Sequence, residues 1–163
     1  MKREEFVQLV LQTQEALRRF LLALCLGDRN LADDIAQETY LKAWIGRGEF
    51  RGDSRFSTWL RRIAYNSYIN TCRSNRNYVS LESTELSQKK TDSEADDNFK
   101  YQDLYCALQL LTPAERTTIL LYYMEGYTVN DIAIIQKSNT NAVKQQLSRG
   151  RKHLRSILDR QIG

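Results

Sequence analysis

Hydrophobic residues recur at three- and four-residue intervals along most of the chain, and short polar or glycine-containing segments interrupt them. This spacing is typical of amphipathic helices. The first half of the chain predicts three helices, at about 4–25, Leu31–Ile45 and Phe56–Arg73. The second half predicts four more, which follow one another at Phe99–Leu111, from Pro113, after Thr128 and from Asn139. The fold class predicted is all-α.

Capping residues mark where the helices of the second half begin. Thr112 suits an N-cap, with Pro113 at the first helical position and Glu115 at the third. Thr128 and Asn139 are further N-cap candidates. The run Ile119–Met124 is apolar on most sides, so we expect it to lie at the centre of the second half.

The two halves are separated by residues 77–98, which are rich in Ser, Thr, Lys, Asp and Glu and contain few large apolar side chains. Such a segment buries too little apolar surface to hold a fixed structure. We expect a flexible acidic linker that spans ~70 Å when fully extended. The domains predicted are therefore two small helical units, 1–76 and 99–163.

Charge is distributed in blocks. The net charge is only +4. However, Arg51–Arg76 contains six Arg and one Asp, and Lys137–Arg160 contains seven Lys or Arg and one Asp. The intervening Glu82–Asp97 contains six acids and two Lys. Two basic blocks favour two surfaces that face a polyanion, whereas the alternative, solvated helix faces, would mix both signs within each block.

The composition argues against several other classes of protein. Cys25, Cys72 and Cys106 form no CxxC pair and are expected to be buried or half-buried thiols of a reducing compartment. No signal peptide or membrane-spanning run is recognised, so a cytoplasmic protein is expected. His153 has no acidic partner nearby in sequence. With no catalytic, metal-binding or cofactor motif, the chain is predicted to be a binding protein that uses no cofactor and is not an enzyme.

The last helix has two distinct faces. Its apolar positions form one narrow stripe: Val143, Leu147, Gly150, Leu154 and Leu158. The opposite face is polar and basic: Asn141, Lys144, Gln145, Ser148, Arg151, Lys152 and Arg155. The short helix after Thr128, a polar break at 136–138 and this basic helix together predict a helix-turn-helix that reads the DNA major groove.

The second helix presents Asp34, Gln37, Glu38 and Leu41 on the side opposite its apolar face. A leucine among acids on a solvated face is common at protein-docking surfaces. Single exposed leucines are also ordinary, so the pattern alone leaves both interpretations open.

The third helix is predicted to bury Phe56, Leu60, Ile63, Ala64 and Ser67. Its outer face is predicted to carry Thr58, Arg61, Arg62, Tyr65 and Tyr68. Arginine interleaved with tyrosine suits single-stranded nucleic acid, because cations follow the backbone and rings stack on bases. The alternative is a surface helix whose tyrosines cover the edge of a core.

Three stretches together resemble the extracytoplasmic-function sigma factors of bacterial RNA polymerase. They are NLADDIAQETYLKAW (30–44), FRGDSRFSTWLRRIAYNSYINTCR (50–73) and the segment from Leu111 to Arg155. The resemblance covers both predicted domains in the same order. It implies that 1–76 is sigma region 2, a helical bundle, and that 99–163 is sigma region 4, a helix-turn-helix.

The resemblance also implies roles for particular residues. The second helix would dock on the polymerase β′ clamp helices through Asp34, Gln37, Glu38 and Leu41, and the polymerase β subunit would be a further partner. The loop and third helix would bind the −10 element and help to open the duplex, with a flipped base held by the loop; the candidates are Arg55, Trp59, Arg62, Tyr65 and Asn66. The last helix would read the −35 element through Asn141, Lys144, Gln145, Arg149 and Arg151.

Some positions depart from the family's usual pattern. Lys137 stands in the turn where glycine would adopt a positive φ at little cost, so strain or a different turn is expected. Gln145 and Gln146 replace the common Ser-Arg pair, which predicts two amide readers and an unusual −35 preference. The acidic residue that usually opens the short helix in the family is Asp131 here, which is a mild change from the family's pattern.

Two functions remain in view. The first is an alternative sigma factor, whose free form could be held inactive by an anti-sigma factor that packs the two domains together. The second is a stand-alone helix-turn-helix regulator that binds duplex DNA without the polymerase.

Overall fold

The computed structural model describes residues 1–79 and 95–162, with side chains over 1–74, 102–157 and at Asp159. Seven α-helices are formed in this part of the chain, together with a 3₁₀ turn at Arg47–Glu49 and a π-helical turn at Leu120–Met124. The helices are α1 (Arg3–Leu24), α2 (Arg29–Ile45), α3 (Phe56–Val79), α4 (Ala95–Gln109), α5 (Pro113–Ile119), α6 (Val129–Gln136) and α7 (Thr140–Ile162). The all-α prediction is confirmed.

The first three helices form an N-terminal unit, in which α2 packs against both α1 and α3. Its interior is lined by fully buried side chains such as Leu17, Phe20 and Leu60. Asp28 caps α2 by accepting a hydrogen bond from the Leu31 N–H at 3.2 Å. Leu26 (φ 58°) and Gly27 (φ 85°) reverse the chain between α1 and α2.

The last four helices form a C-terminal unit, and the predicted caps are confirmed. The side chains of Thr112, Thr128 and Asn139 accept hydrogen bonds from the backbone N–H groups three residues ahead, at 3.2, 3.1 and 2.8 Å. Lys137 adopts φ 52° and ψ 46°, the left-handed conformation that the turn requires. Its N–H and that of Ser138 bond to the last carbonyls of α6, so the helix ends in a cap usually given to glycine.

The segment after α5 is less buried than its composition suggested. Leu120 and Leu121 lie in the core, but Tyr122, Tyr123 and Met124 are exposed. All three side chains lie within the π-helical turn Leu120–Met124. The run is therefore buried on one side and not on most sides.

The linker predicted at 77–98 lies largely outside the described residues, and α3 and α4 continue into its two ends. The two units pack directly on one another, and their buried side chains belong to one continuous core. The central contact lies between α3 and α6, and α1 meets the π-helical turn.

This packing corrects the prediction for one face of α3. Thr58, Arg61 and Tyr68, expected on the outside, are each at most 2% exposed. The periodicity of α3 identified the face that meets α1 and α2, but it carries no information on the second unit that covers the opposite side.

Candidate nucleic-acid and polymerase interfaces

The α2 surface lies on the side of that helix away from the core. Asp34, Gln37, Glu38 and Leu41 are all exposed, and Leu41 is 60% exposed. Ile45, one turn further on, is 72% exposed and extends the apolar part of this surface; the sequence pattern did not single it out. Glu38 forms an ion pair with Lys42 at 2.8 Å. The surface thus combines two adjacent apolar side chains with a carboxylate-rich flank.

The five −10 candidates on and before α3 fall into two settings. Trp59, Arg62 and Asn66 line a cavity of about 360 Å³, together with residues of the loop before α3 such as Phe50 and Arg51. The Trp59 ring lies 5.3 Å from that of Phe50. Aromatic rings beside guanidinium and amide groups can stack on a nucleobase and hold its phosphate.

The other two candidates lie apart from this cavity. Arg55 is exposed, and it pairs with Asp131 of α6 at 3.5 Å. Tyr65 is half-buried, and burial is the main cause that raises the pKa of its hydroxyl. Lys137, from the turn of the C-terminal unit, also lines the cavity, which the sequence pattern did not indicate.

The α7 surface presents the −35 candidates. Asn141, Lys144, Gln145 and Arg149 are exposed on the first two and a half turns. Lys152 and Arg155 are exposed one and two turns further along the polar face. Arg151 is engaged within the chain, because its Nε donates to the Tyr123 hydroxyl at 2.6 Å and its guanidinium lies over the Tyr122 and Tyr123 rings.

Gln146 corrects the expectation of two adjacent amide readers. Its Oε1 accepts a hydrogen bond from the Thr118 hydroxyl at 2.5 Å. The same hydroxyl accepts from Nε2 of Gln136 at 2.6 Å. These contacts join α5, α6 and α7 inside the unit, so Gln145 alone faces outward.

His153 also has a partner that its sequence neighbourhood did not indicate. Its Nδ1 lies 3.5 Å from Oε2 of Glu115, a carboxylate that is almost fully buried at the start of α5. The residue therefore contributes to the packing of α7 on α5.

The three thiols differ in their surroundings. Cys25 is buried, Cys72 is half-buried, and Cys106 is exposed, contrary to expectation. Burial, reinforced by Asp28 and Cys72, raises the pKa of Cys25 to about 12. Among the described residues no group of His, Cys, Asp and Glu side chains is arranged to hold a metal ion. Over the same residues no helix is long and apolar enough to cross a bilayer.

Both units of the chain match known protein families. Residues 9–78 match the family described as Sigma-70 region 2, and residues 101–154 match Sigma-70, region 4. The RNA polymerase sigma-H factor of Pseudomonas aeruginosa is 30% identical over 94% of this chain and 86% of its own length. The ECF RNA polymerase sigma factor SigW of Bacillus subtilis is 29% identical over 82% of this chain and 78% of its own. The chain belongs to the extracytoplasmic-function sigma factors.

A solved structure extends this similarity to the arrangement of the two units. The sigma factor RpoE of Bartonella quintana, in complex with the anti-sigma factor NepR, is 26% identical and superposes with a TM-score of 0.76. The match covers 96% of this chain and 98% of that one. The chain is thus an alternative RNA polymerase sigma factor, and the relatives with which it shares both regions are sigma factors.

Proposed function

We propose that this sigma factor binds core RNA polymerase in the cytoplasm, recognises both the −10 and −35 elements of its promoters and helps to open the duplex without any catalysis of its own. The observation that carries the proposal is the presence of both sigma regions in one chain, in order. A stand-alone helix-turn-helix regulator would need only the second.

Polymerase docking is assigned to the α2 surface. Leu41 and the neighbouring Ile45 supply an apolar contact, and Asp34 and Glu38 supply the charges around it. An apolar centre with a polar rim is how protein interfaces usually combine affinity with specificity.

Promoter recognition is divided between the two units. The cavity of Trp59, Arg62 and Asn66, with Arg55 and Tyr65, would hold the −10 strand, and domain 1–76 would carry that function. In domain 99–163, Asn141, Lys144, Gln145 and Arg149 would face the −35 duplex, where amide and ammonium groups suit adenine and guanine edges. Arg151, held against two tyrosines, is assigned to a phosphate contact, which sets register without reading sequence.

An anti-sigma factor is the third partner proposed. The support is the similarity to RpoE, which was solved in complex with the anti-sigma factor NepR. Such a partner would act on the packed arrangement of the two units.

Co-purification with core RNA polymerase tests the central claim. The double variant Leu41→Ala/Glu38→Lys should be retained far less than the wild type, because it removes the apolar contact and reverses a charge. Leu11→Ala/Glu15→Lys on α1 is a matched control, since Leu11 is 58% exposed and Leu41 is 60% exposed. Equal retention of both variants would reject the α2 assignment, and failure of the wild type to bind would reject the sigma function itself.

A further inference from the structure

A cavity of about 460 Å³ lies between α1 and α2 and contains none of the residues assigned to polymerase or DNA binding. It is lined by three arginines, one carboxylate and two apolar residues: Arg18, Arg19, Arg29, Asp33, Leu22 and Ala32. Its volume falls within the range of about 300–1,000 Å³ that small-molecule sites occupy. Three guanidinium groups against one carboxylate make the cavity cationic, so anions are the ligands that it favours.

This cavity is remote from the loop assigned to the −10 element. The Phe6 ring lies 5.3 Å from that of Trp44 near the end of α2 and 6.1 Å from that of Phe56 at the start of α3. The first turns of α1 therefore lie beside that loop. From Phe6 to Arg18, α1 rises by roughly 18 Å. The two cavities have no lining residue in common, so an anion held between α1 and α2 would not occupy the −10 surface.

Two of the guanidinium groups are available to a ligand. Arg18 and Arg19 are both exposed, and neither side chain forms a hydrogen bond or an ion pair within the described part of the chain. Arg29, the first residue of α2, is half-buried on the neighbouring helix. A guanidinium group presents a planar set of N–H donors that fits two oxygens of one phosphate. Arginines on two packed helices can thus hold phosphate groups from both sides.

The other lining residues suit the organic part of a nucleotide. Leu22 is half-buried and Ala32 is buried, so they offer an apolar wall against which a flat ring can pack. The exposed carboxylate of Asp33 accepts hydrogen bonds and donates none, which suits sugar hydroxyls and is unfavourable beside phosphate. A bare phosphate chain would use the arginines and gain nothing from Asp33.

We propose that this cavity binds a nucleoside phosphate, with the three arginines on the phosphate groups, Asp33 on the sugar hydroxyls and the apolar wall against the base. Asp33 directly precedes Asp34 in the chain, so the ligand would lie at the edge of the α2 surface. The proposal goes beyond the sigma function and does not depend on it.

Calorimetric titration of the full-length protein with ATP, at physiological salt, tests the site. The wild type should bind ATP with a Kd on the order of 100 μM. The variant Arg18→Gln/Arg19→Gln should bind it about tenfold more weakly, because loss of a charge-assisted hydrogen bond corresponds to roughly that factor. Lys2→Gln/Arg3→Gln removes two adjacent exposed cations at the other end of α1 and should bind ATP as the wild type does.

Asp33→Ala distinguishes a nucleotide from a bare phosphate chain. The second probe is tripolyphosphate, which has the phosphate chain of ATP without the sugar and base. Loss of the carboxylate removes a repulsion that acts on both probes, but it removes a hydrogen-bond acceptor only for ATP. The ratio of ATP affinity to tripolyphosphate affinity should therefore fall about tenfold. An unchanged ratio overturns the proposal, and this measurement keeps it testable if the arginine variant fails to fold.

The remaining outcomes separate the site from the other surfaces. Absence of ATP binding by the wild type overturns the proposal, and so does equal ATP binding by Arg18→Gln/Arg19→Gln and its control, which would place the nucleotide on the DNA-binding surfaces. If the arginine variant binds ATP normally but is poorly retained by core polymerase, the arginines dock a protein and the proposal is overturned. Failure of the wild type to bind core polymerase would reject the sigma function and leave the ATP titrations unaffected.

Discussion

The two surfaces assigned to promoter DNA differ in what lies over them. On α7 the polar face is open to solvent from Asn141 to Arg155, with Arg151 held against tyrosines. On α3 the C-terminal unit covers Arg61 and Tyr68 and places Lys137 at the cavity beside Trp59. The face assigned to the −35 duplex is thus open to solvent, whereas the face assigned to the −10 strand is partly covered by the other unit.

The largest effect is expected from Gly150→Ala, which perturbs the packing of α7, the helix that carries the exposed polar face. A Cβ atom at Gly150 would lie 2.8 Å from a side-chain carbon of Ile119, so either the buried Ile119 side chain or α7 itself must shift. Overpacking of this kind costs about 1–3 kcal/mol, to be measured by urea unfolding. Gly48→Ala is the control, because nothing lies within 4 Å of that position. If the two variants unfold at the same urea concentration, the exposed face of α7 does not depend on the close packing of Gly150 against Ile119.

A smaller and more selective effect is expected from Lys144→Ala on the open face. Loss of one base contact costs about 1 kcal/mol, and only at the −35 element. Transcription from promoter libraries randomised at each element would measure it, with the exposed Lys2→Ala as the charge-matched control. A uniform loss at −35 and −10 would contradict the division between the two surfaces.

The smallest effect is expected from Lys137→Gly in the turn between the surfaces. Lys137 holds a φ of 52°, which glycine adopts without the Cβ clash. The variant should gain about 0.5–1 kcal/mol in unfolding free energy, because relief of the Cβ clash outweighs the greater backbone freedom of glycine in the unfolded chain. Ser138→Gly, at a residue without a positive φ, should lose stability. If both variants lose stability, the contacts of the Lys137 side chain at the cavity beside α3 stabilise the fold by more than the positive φ destabilises it.

Local features were accessible from the sequence because they depend on neighbours along one helix. The caps at Thr112, Thr128 and Asn139 follow from rules that act over three or four residues. The positive φ at Lys137 was implied only by the family resemblance, with a different turn as the alternative. The core-facing stripes of α3 and α7 follow from helical periodicity in the same way. The residue roles at the polymerase and DNA surfaces stay predictions.

Features that depend on distant segments were not accessible. Arg61 and Gln146 were both predicted to face outward. In the structure Arg61 is covered by Glu125, more than 60 positions away in the sequence, and Gln146 of α7 accepts a hydrogen bond from Thr118 of α5. The hydrophobic pattern of a helix identifies the face that packs against the neighbouring helices of its own unit. It does not show which polar positions on the opposite face become buried when a second unit packs there.

Arg116 donates hydrogen bonds to both units, and this affects how the units can separate. Its Nη1 donates to the Tyr68 hydroxyl at 2.8 Å and to the Leu24 carbonyl at 3.4 Å in the N-terminal unit. The same guanidinium donates to the carbonyls of Leu108 and Leu111 in its own unit, at 2.9 and 3.2 Å. Separation would break the first two bonds and keep the second two. The connection between α4 and α5 therefore stays anchored while the contact with α3 is released, and the C-terminal unit can move as a preformed body. A separation of the two units would then be a rearrangement of two folded pieces and would require neither of them to unfold.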